Sequence, residues 1–563
     1  MRLKTNNRRI APIDCNTADF QYVIRRGIFY IDKSLLIKDI LTSKESVIFF
    51  SRPRRFGKSL NLSMINHFFN IKSSKGLFEG LAIAQYKYLC EKHQNKYPVV
   101  LISFKDVEGL NFEDFLIRLN NAISYGIRDF CEDIAKSSLS KEDKDYYSRL
   151  LNKSASKEEI RESLFRLSAI LESVFKQKAV LLIDEYDVPL QKASLQDYYE
   201  QALDIISGLF SAGFKSNPHL FLGIATGCLK ISKETIFTGL NNISTYTLFD
   251  DKYKNAFGFT EEETKNMLYG FSMLEQFPLV KQYYDGYPGL GTTLFCPFDV
   301  VHYVSDYLAN PNAKPRYYWM NTSENEIIRS LLNVSDSNIR DEVEALVSGG
   351  TIEKEIDLYL TYRDLYKNPQ NIYSVLLSSG YLIAKKVEGN TVTIAIPNEE
   401  VRYIFRSQIT KWIEERINKN YKDNQLIECL FSSNLEKASA TISEFLWNSI
   451  GIHDYSRSNH QREGFYHGLL LGLLSKDNSA HYQIKSNVEA GLGYADIAIT
   501  TSDATSGIII ECKYASNGDF ETVAEEAFNQ IDEKRYTGFF LKNTAIKKIA
   551  AIFYQKRCIF ISK

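Results

Sequence analysis

What this chain lacks narrows what it can be. No run reaches the roughly 18 apolar residues that a membrane-spanning helix needs, and the basic N-terminal stretch has no apolar segment of the secretory type. Its eight cysteines are scattered without a CxxC pair, which fits a reduced interior and signals no zinc site. Formal net charge is only −1, so overall charge does not announce nucleic acid. There is no internal repeat and no low-complexity tract. These absences predict a cytoplasmic location and no membrane association.

What is present is globular. The chain has 563 residues, 44% of them hydrophobic and 24% charged, with 35 Tyr and 35 Phe, so disorder is excluded and one core does not suffice. Length alone suggests three or four domains. The first sixty residues carry 13 Lys/Arg against 5 Asp/Glu, a local basic excess around residues 52–58 that serves a bound nucleotide, a solvated surface or a DNA-tracking patch.

Continuous apolar runs at 46–50, 98–104, 179–184 and 220–226 alternate with helix-like stretches. Runs of this kind suit strands buried on both faces, hence a parallel α/β sheet over residues 1–254. Residues 255–350 read as helical and aromatic, with YYDGYPG (283–289) as a turn. In 351–420 a helix at 370–379 precedes two alternating strands joined by Glu-Gly-Asn, the pattern of a winged helix. The remainder, 421–563, ends in helix, strand, strand, helix, strand and forms a fourth expected domain.

RPRRFGKS (52–59) lies between an apolar strand and the helical stretch LNLSMINHFF. It has the Gly-Lys-Ser of a phosphate loop, with Arg52 where such loops begin with glycine. Gly57 would let the backbone approach phosphate, Lys58 in its exposed loop would reach the β/γ oxygens, and Ser59 would offer a hydroxyl to Mg2+. LLIDEYD (181–187) ends an apolar strand in Asp184, suited to the Mg2+ shell, and Glu185, suited to the attacking water. Thr226, at the next strand tip, would sense phosphate or water, or simply cap the strand. Arg54 and Arg55 would contact phosphate or a neighbouring subunit, and a homo-oligomer is possible.

These residues, with FYIDKS, GLNNIS (239–244), YYDGYPG and YWMNTSEN (318–325), resemble the bacterial AAA-ATPase-like family over nearly the whole chain. The resemblance implies a P-loop domain of the AAA/STAND kind that binds and hydrolyses ATP, a helical lid, a winged-helix region and a C-terminal nuclease-like domain. The Arg-Pro-Arg-Arg variant of the loop looks like the family's own.

GLGYADIAITTSDATSGIIIECKYA (491–515) reads as two strands. Alternation puts Glu511 and Lys513 on one face and Cys512 on the other, and Asp496 begins the neighbouring strand beside them. Two adjacent carboxylates make a hard oxygen site for Mg2+ or Mn2+; the lysine would orient or deprotonate water, or steady charge on phosphate. On EGFYHGLLLGLL (463–474) Glu463, Tyr466 and His467 share a helix face. Gln530, three residues after Ala527 on the next helix, would reach the same centre. The arrangement resembles the PD-(D/E)XK nuclease superfamily, which implies a restriction-endonuclease-like α/β domain with Glu463, Asp496, Glu511 and Lys513 at its site, Gln530 in support and DNA as partner. Related domains often carry Arg where this chain has Tyr494. His453, His460 and His481 lack ligand spacing and read as surface residues; Trp319 and Trp412 read as packing. The leading expectation is an ATP-regulated, metal-dependent DNA nuclease. The alternatives are a nucleotide-gated switch that binds without cutting and an ATPase whose partner is protein.

Overall fold

A computed structural model of the chain describes residues 12–228, 243–319, 328, 337–356, 370–420, 426–432, 434–449, 459–476, 481–490, 493–541, 543–554 and 557–563. Residues 239–242, 320–325 and 491–492 of the quoted motifs lie outside them, as do His453 and the side chains of His460 and Trp412. Two compact units are present: Met1–Asn321 with Glu353–Val401, and Thr322–Ile352 with Arg402–Lys563.

The first unit is built on β1 (Val47–Ser51), β2 (Val99–Ser103), β3 (Ala179–Asp184), β4 (Leu220–Gly227) and β5 (Ile243–Tyr246). They form one sheet in the order β2-β3-β4-β1-β5, and every pairing is parallel. β1 and β3 are buried along their whole length, which is why they are apolar without alternation. The helices Lys58–Phe69 and Lys157–Phe175 pack on β3, and Phe112–Ile127 packs on β2. Because β4 separates β1 from β3, the tips of all three strands meet at one end of the sheet, where the loop after β1 also begins.

Residues 259–309 add β6 (Phe259–Thr260), β7 (Tyr287–Pro288) and β8 (Thr293–Phe295) as a small antiparallel sheet among helices. Their shared core holds Met267, Tyr284, Phe295, Val300 and Tyr303. The helix Gln370–Ser379 leads into β10 (Ile383–Glu388) and β11 (Thr391–Ala395), paired antiparallel around Gly389, whose φ of 61° is the left-handed geometry such a turn needs. A third strand, β9 (Ile352–Glu355), joins the edge of this hairpin; its residues IEKE are too polar to announce it.

The second unit carries β12 (Tyr482–Ala490), β13 (Gly493–Thr501), β14 (Ser506–Tyr514), β15 (Ala545–Tyr554) and β16 (Arg557–Ser562) in that order across a mixed sheet. β14 and β15 are parallel, joined through the helix Phe520–Glu533, and the other pairings are antiparallel. That helix contributes Ala524, Ala527, Phe528 and Ile531 to a core with Ile509, Ala550 and Ile552. The helix Asn459–Lys476 packs on β12, β13 and β14. No helix among the described residues is long and apolar enough to cross a membrane.

Candidate functional site

The loop after β1 turns into the helix Lys58–Phe69 at Gly57, which caps it with φ 78°. The expected exposed position of Lys58 is corrected by the structure: the residue is 7% exposed. Its ammonium donates to the carbonyls of Arg52 (3.1 Å) and Pro53 (2.9 Å) and to the Cys228 sulfur (3.4 Å), so the loop's own backbone holds the charge. Ser59 follows it in the first turn of the helix.

β3 ends in Asp184, whose Oδ1 accepts from the Thr226 hydroxyl at 2.5 Å and from the Glu185 amide at 3.1 Å. This bond follows from register, since Asp184 and Thr226 are paired across β3 and β4. Glu185 has φ 55°, a left-handed turn that swings its carboxyl off the strand line. Burial raises its pKa and Asp184 raises it further, while Lys58 and Arg54 pull the other way. The structure therefore brings Lys58, Asp184, Glu185, Thr226 and Arg54 to one strand end. Arg54 also makes a long 3.5 Å contact to Gln191.

Two of the arginines have employment the sequence did not signal. Arg52 is fully buried; its guanidinium donates to the carbonyls of Ser51 (2.9 Å), Tyr246 (2.8 Å) and Tyr253 (3.1 Å). Burial pushes its pKa down to about 10. Where a glycine would open the loop, an arginine ties β1 to β5 and the turn beyond it. Arg55 donates to the Tyr318 carbonyl at 2.7 Å and lies 4.0 Å over the Phe298 ring.

In the second unit the pairing of β13 with β14 stops at Ile497 and Ile510. One residue earlier, Asp496 lies beside Glu511; its Oδ2 accepts from the Cys512 amide at 2.8 Å, an acceptor that strand pairing no longer supplies there. Glu511, 2% exposed, takes a 3.2 Å ion pair from Lys513 on Oε1, while its buried Oε2 has no hydrogen-bond partner among the described residues. Burial, and then Asp496, push the Glu511 pKa up to about 8, with Lys513 opposing. Burial works against the Lys513 ammonium, but Glu511, Glu463 and Asp496 outweigh it and hold its pKa above the ordinary value. Glu463 accepts from the Tyr514 amide at 3.4 Å, which brings it to the end of β14.

The helix that carries Glu463 also supplies two residues whose spacing was legible and whose roles were not. Tyr466 is fully buried and stacks on Phe553 at 4.2 Å. His467 Nε2 donates to the Asp496 carbonyl at 3.0 Å and lies 3.1 Å from the Ser486 hydroxyl. Ser486, on the polar edge strand β12, had no sequence signal. Gln530 is not drawn into the carboxylate group: its amide donates to the Tyr536 hydroxyl at 3.3 Å. Tyr494 is exposed.

Among the described residues no three His, Cys, Asp or Glu side chains gather closely enough to enclose a metal ion by themselves. The Asp496–Glu511 pair nonetheless fits a divalent ion. An orphaned buried carboxylate oxygen beside a second carboxylate is an oxygen donor set short of a cation, with water and substrate left to complete the shell.

Comparison with known proteins finds similarity near both ends of the chain. Residues 14–237 match the family described as Predicted AAA-ATPase, and residues 461–563 match the PD-(D/E)XK nuclease superfamily. An Azotobacter chroococcum mcd 1 protein, described only as an uncharacterized protein in the vnfD 5' region, is 23% identical over 544 residues, covering 91% of this chain and 90% of its own. Among solved structures, the Aeropyrum pernix ORC2 protein in its ADPNP–ADP complexes aligns over 67% of this chain and 92% of its own, with 12% identity and a TM-score of 0.25.

Proposed function

In a chain that joins an AAA-ATPase-like domain to a PD-(D/E)XK nuclease-superfamily domain, we propose an ATP-binding and ATP-hydrolysing unit that controls metal-dependent cleavage of DNA. The observation that carries the nuclease half is the convergence of Asp496, Glu511 and Lys513 around a buried carboxylate oxygen that lacks a partner. Asp496 and Glu511 would hold Mg2+ or Mn2+, which when bound supplies a Lewis acid for the phosphodiester and a more acidic water. Lys513 keeps its proton, because the carboxylates around it raise its pKa. Of the two roles its position allows, this favours steadying charge on the phosphate oxygens over deprotonating water. Glu463 adds negative charge beside the pair and orients the end of β14 through the Tyr514 amide.

For the nucleotide half, Lys58 would exchange the carbonyls of Arg52 and Pro53 for β/γ-phosphate oxygens. Asp184 and Ser59 would hold Mg2+. Glu185, whose carboxylate burial makes more basic, would accept a proton from the attacking water, while Thr226 fixes Asp184. The test is cleavage of plasmid and single-stranded DNA by pure protein in Mg2+ and Mn2+, with and without ATP. Cutting that vanishes in Asp496→Ala supports the reading; intact DNA under every condition overturns it.

A second reading, a nucleotide-gated switch that binds nucleic acid or protein without cutting, is favoured by two departures. Gln530 is turned to Tyr536, and Tyr494 is exposed where related domains often carry Arg. DNA binding that survives Asp496→Ala, in a parent protein that cuts nothing, would establish it.

A further inference from the structure

Glycine-rich phosphate loops are bare because backbone amides must close on phosphate and no side chain stands in the way. Arg52, Pro53, Arg55 and Phe56 of this chain are the opposite: each of these side chains is spent on what surrounds the loop. Pro53 is pressed on Gly380, where an added Cβ would come within 2.7 Å of the proline ring. Phe56 meets Tyr287 edge to face at 4.7 Å. Arg55 adopts φ 65°, a left-handed conformation that a side-chain-bearing residue keeps only when its surroundings hold it there.

What holds it is the Tyr318 carbonyl, 2.7 Å from its guanidinium, and the Phe298 ring beneath. Asp299 and Glu400, each 1% exposed, are buried close by; burial raises the pKa of both and Arg55 opposes it. The Cys296 thiol donates to the Arg55 carbonyl at 3.8 Å, and the Trp319 amide donates to Glu400 at 2.8 Å. Glu400 lies in the first turn of the helix Glu399–Asn420, and Asn398 just before it accepts from the Val401 amide.

We infer that Arg55 is a positioning residue of the phosphate loop rather than a phosphate ligand, and that through the Tyr318–Trp319 peptide and Glu400 it ties the loop's shape to the start of the helix Glu399–Asn420. The inference rests on the nucleotide-binding reading of the loop. A loop shaped by what its side chains pack on responds when that packing shifts. By reciprocity the packing responds when phosphate reshapes the loop.

The test uses the full chain and titrates Mg-ATP and Mg-ADP by calorimetry into the parent, Arg55→Ala, Glu400→Ala, the double variant and Glu400→Gln. Positioning through that peptide and Glu400 predicts that each single alanine weakens binding about five- to tenfold. The double variant is then no weaker than the worse single, and Glu400→Gln, whose amide oxygen can still accept from the Trp319 amide, binds like the parent. A loss in Arg55→Ala that Glu400→Ala does not share, or losses that add, makes Arg55 a phosphate ligand and overturns the inference. Should an alanine variant fail to fold, amide exchange of the parent decides. Protection at Trp319 and Val401 must change when nucleotide is added, and its constancy overturns the inference while leaving the nucleotide site standing. A parent that binds no nucleotide removes the site and the coupling together.

Discussion

Asp496 is held from two sides: its carboxylate accepts from the Cys512 amide at 2.8 Å, and its backbone carbonyl accepts from His467 at 3.0 Å. The acid therefore stands at the open end of the β13–β14 pairing with both its chain and its side chain fixed. A ligand fixed in this way needs little reorganisation when a cation arrives.

That dependence is measurable. Replacing His467 with Ala should lower Mn2+-dependent cutting on the order of tenfold, the scale found when support behind a metal ligand is removed. His467→Gln, which can present an amide N–H to the same carbonyl, should recover part of it. Rates against Mn2+ concentration for the three proteins check this, and an unchanged alanine variant would separate His467 from the site.

Glu511→Gln should stop cutting and make the second unit more stable by on the order of 1 kcal/mol. It relieves a buried carboxyl of its neighbour Asp496 while leaving an oxygen for Lys513. Denaturant unfolding beside the cleavage assay reads both effects. Loss of activity together with loss of stability would mean that the acid is structural.

Lys58→Ala should abolish tight ATP binding. Because Lys58 is buried and bonded to Arg52 and Pro53 rather than free in solvent, the change should also lower stability, by about 1 kcal/mol. Nucleotide titration and thermal melting of the same preparation test the two parts, and retained parental affinity would remove Lys58 from the site.

Arg52→Ala should cost about 3 kcal/mol, since it strands the carbonyls of Ser51, Tyr246 and Tyr253 in a buried place. Urea unfolding measures it. A loss of nucleotide binding without that loss of stability would return Arg52 to the phosphate-binding role its position first suggests.

The Asp299–Glu400 pair predicts a pH dependence. Burial first raises the Asp299 pKa to about 6 and lifts Glu400 well above the carboxylate range, so the folded state favours the proton more than the unfolded chain does. The stability this confers is complete below the ordinary carboxylate value of about 4 and is lost as pH rises through about 6. Unfolding of the first unit measured from pH 4 to 7 should show that decline, and Asp299→Asn should flatten it.

Much of the chemistry was legible because it sits on apolar strands. The runs VIFFS and AVLLID are buried on both faces, and their apolar stretches end where Arg52 and Asp184 stand. Alternation on β14 placed Glu511 and Lys513 together, and the ion pair between them bears that geometry out. The helix at 370–379 and the hairpin after it were equally plain. What escaped has a common cause. β12 is a partly exposed edge strand and β9 is polar, so neither carries an apolar signature. Arg52 and Arg55 read as phosphate contacts because basic residues beside Gly-Lys-Ser invite that role. Their partners Tyr253 and Tyr318 lie 201 and 263 residues along the chain, beyond any local pattern. The acid pair of Asp299 and Glu400 was hidden for the same reason.

The place of β14 in its sheet has a consequence for synthesis. It lies between β13, made before it, and β15, its parallel partner made only after the helix Phe520–Glu533. While the nascent chain is still leaving the ribosome, the strand that bears Glu511 and Lys513 has one neighbour and an open edge. Parallel pairing across an intervening helix is a late, non-local event in folding. Whatever the carboxylates and the lysine do, they do it only once β15 has been made and has paired.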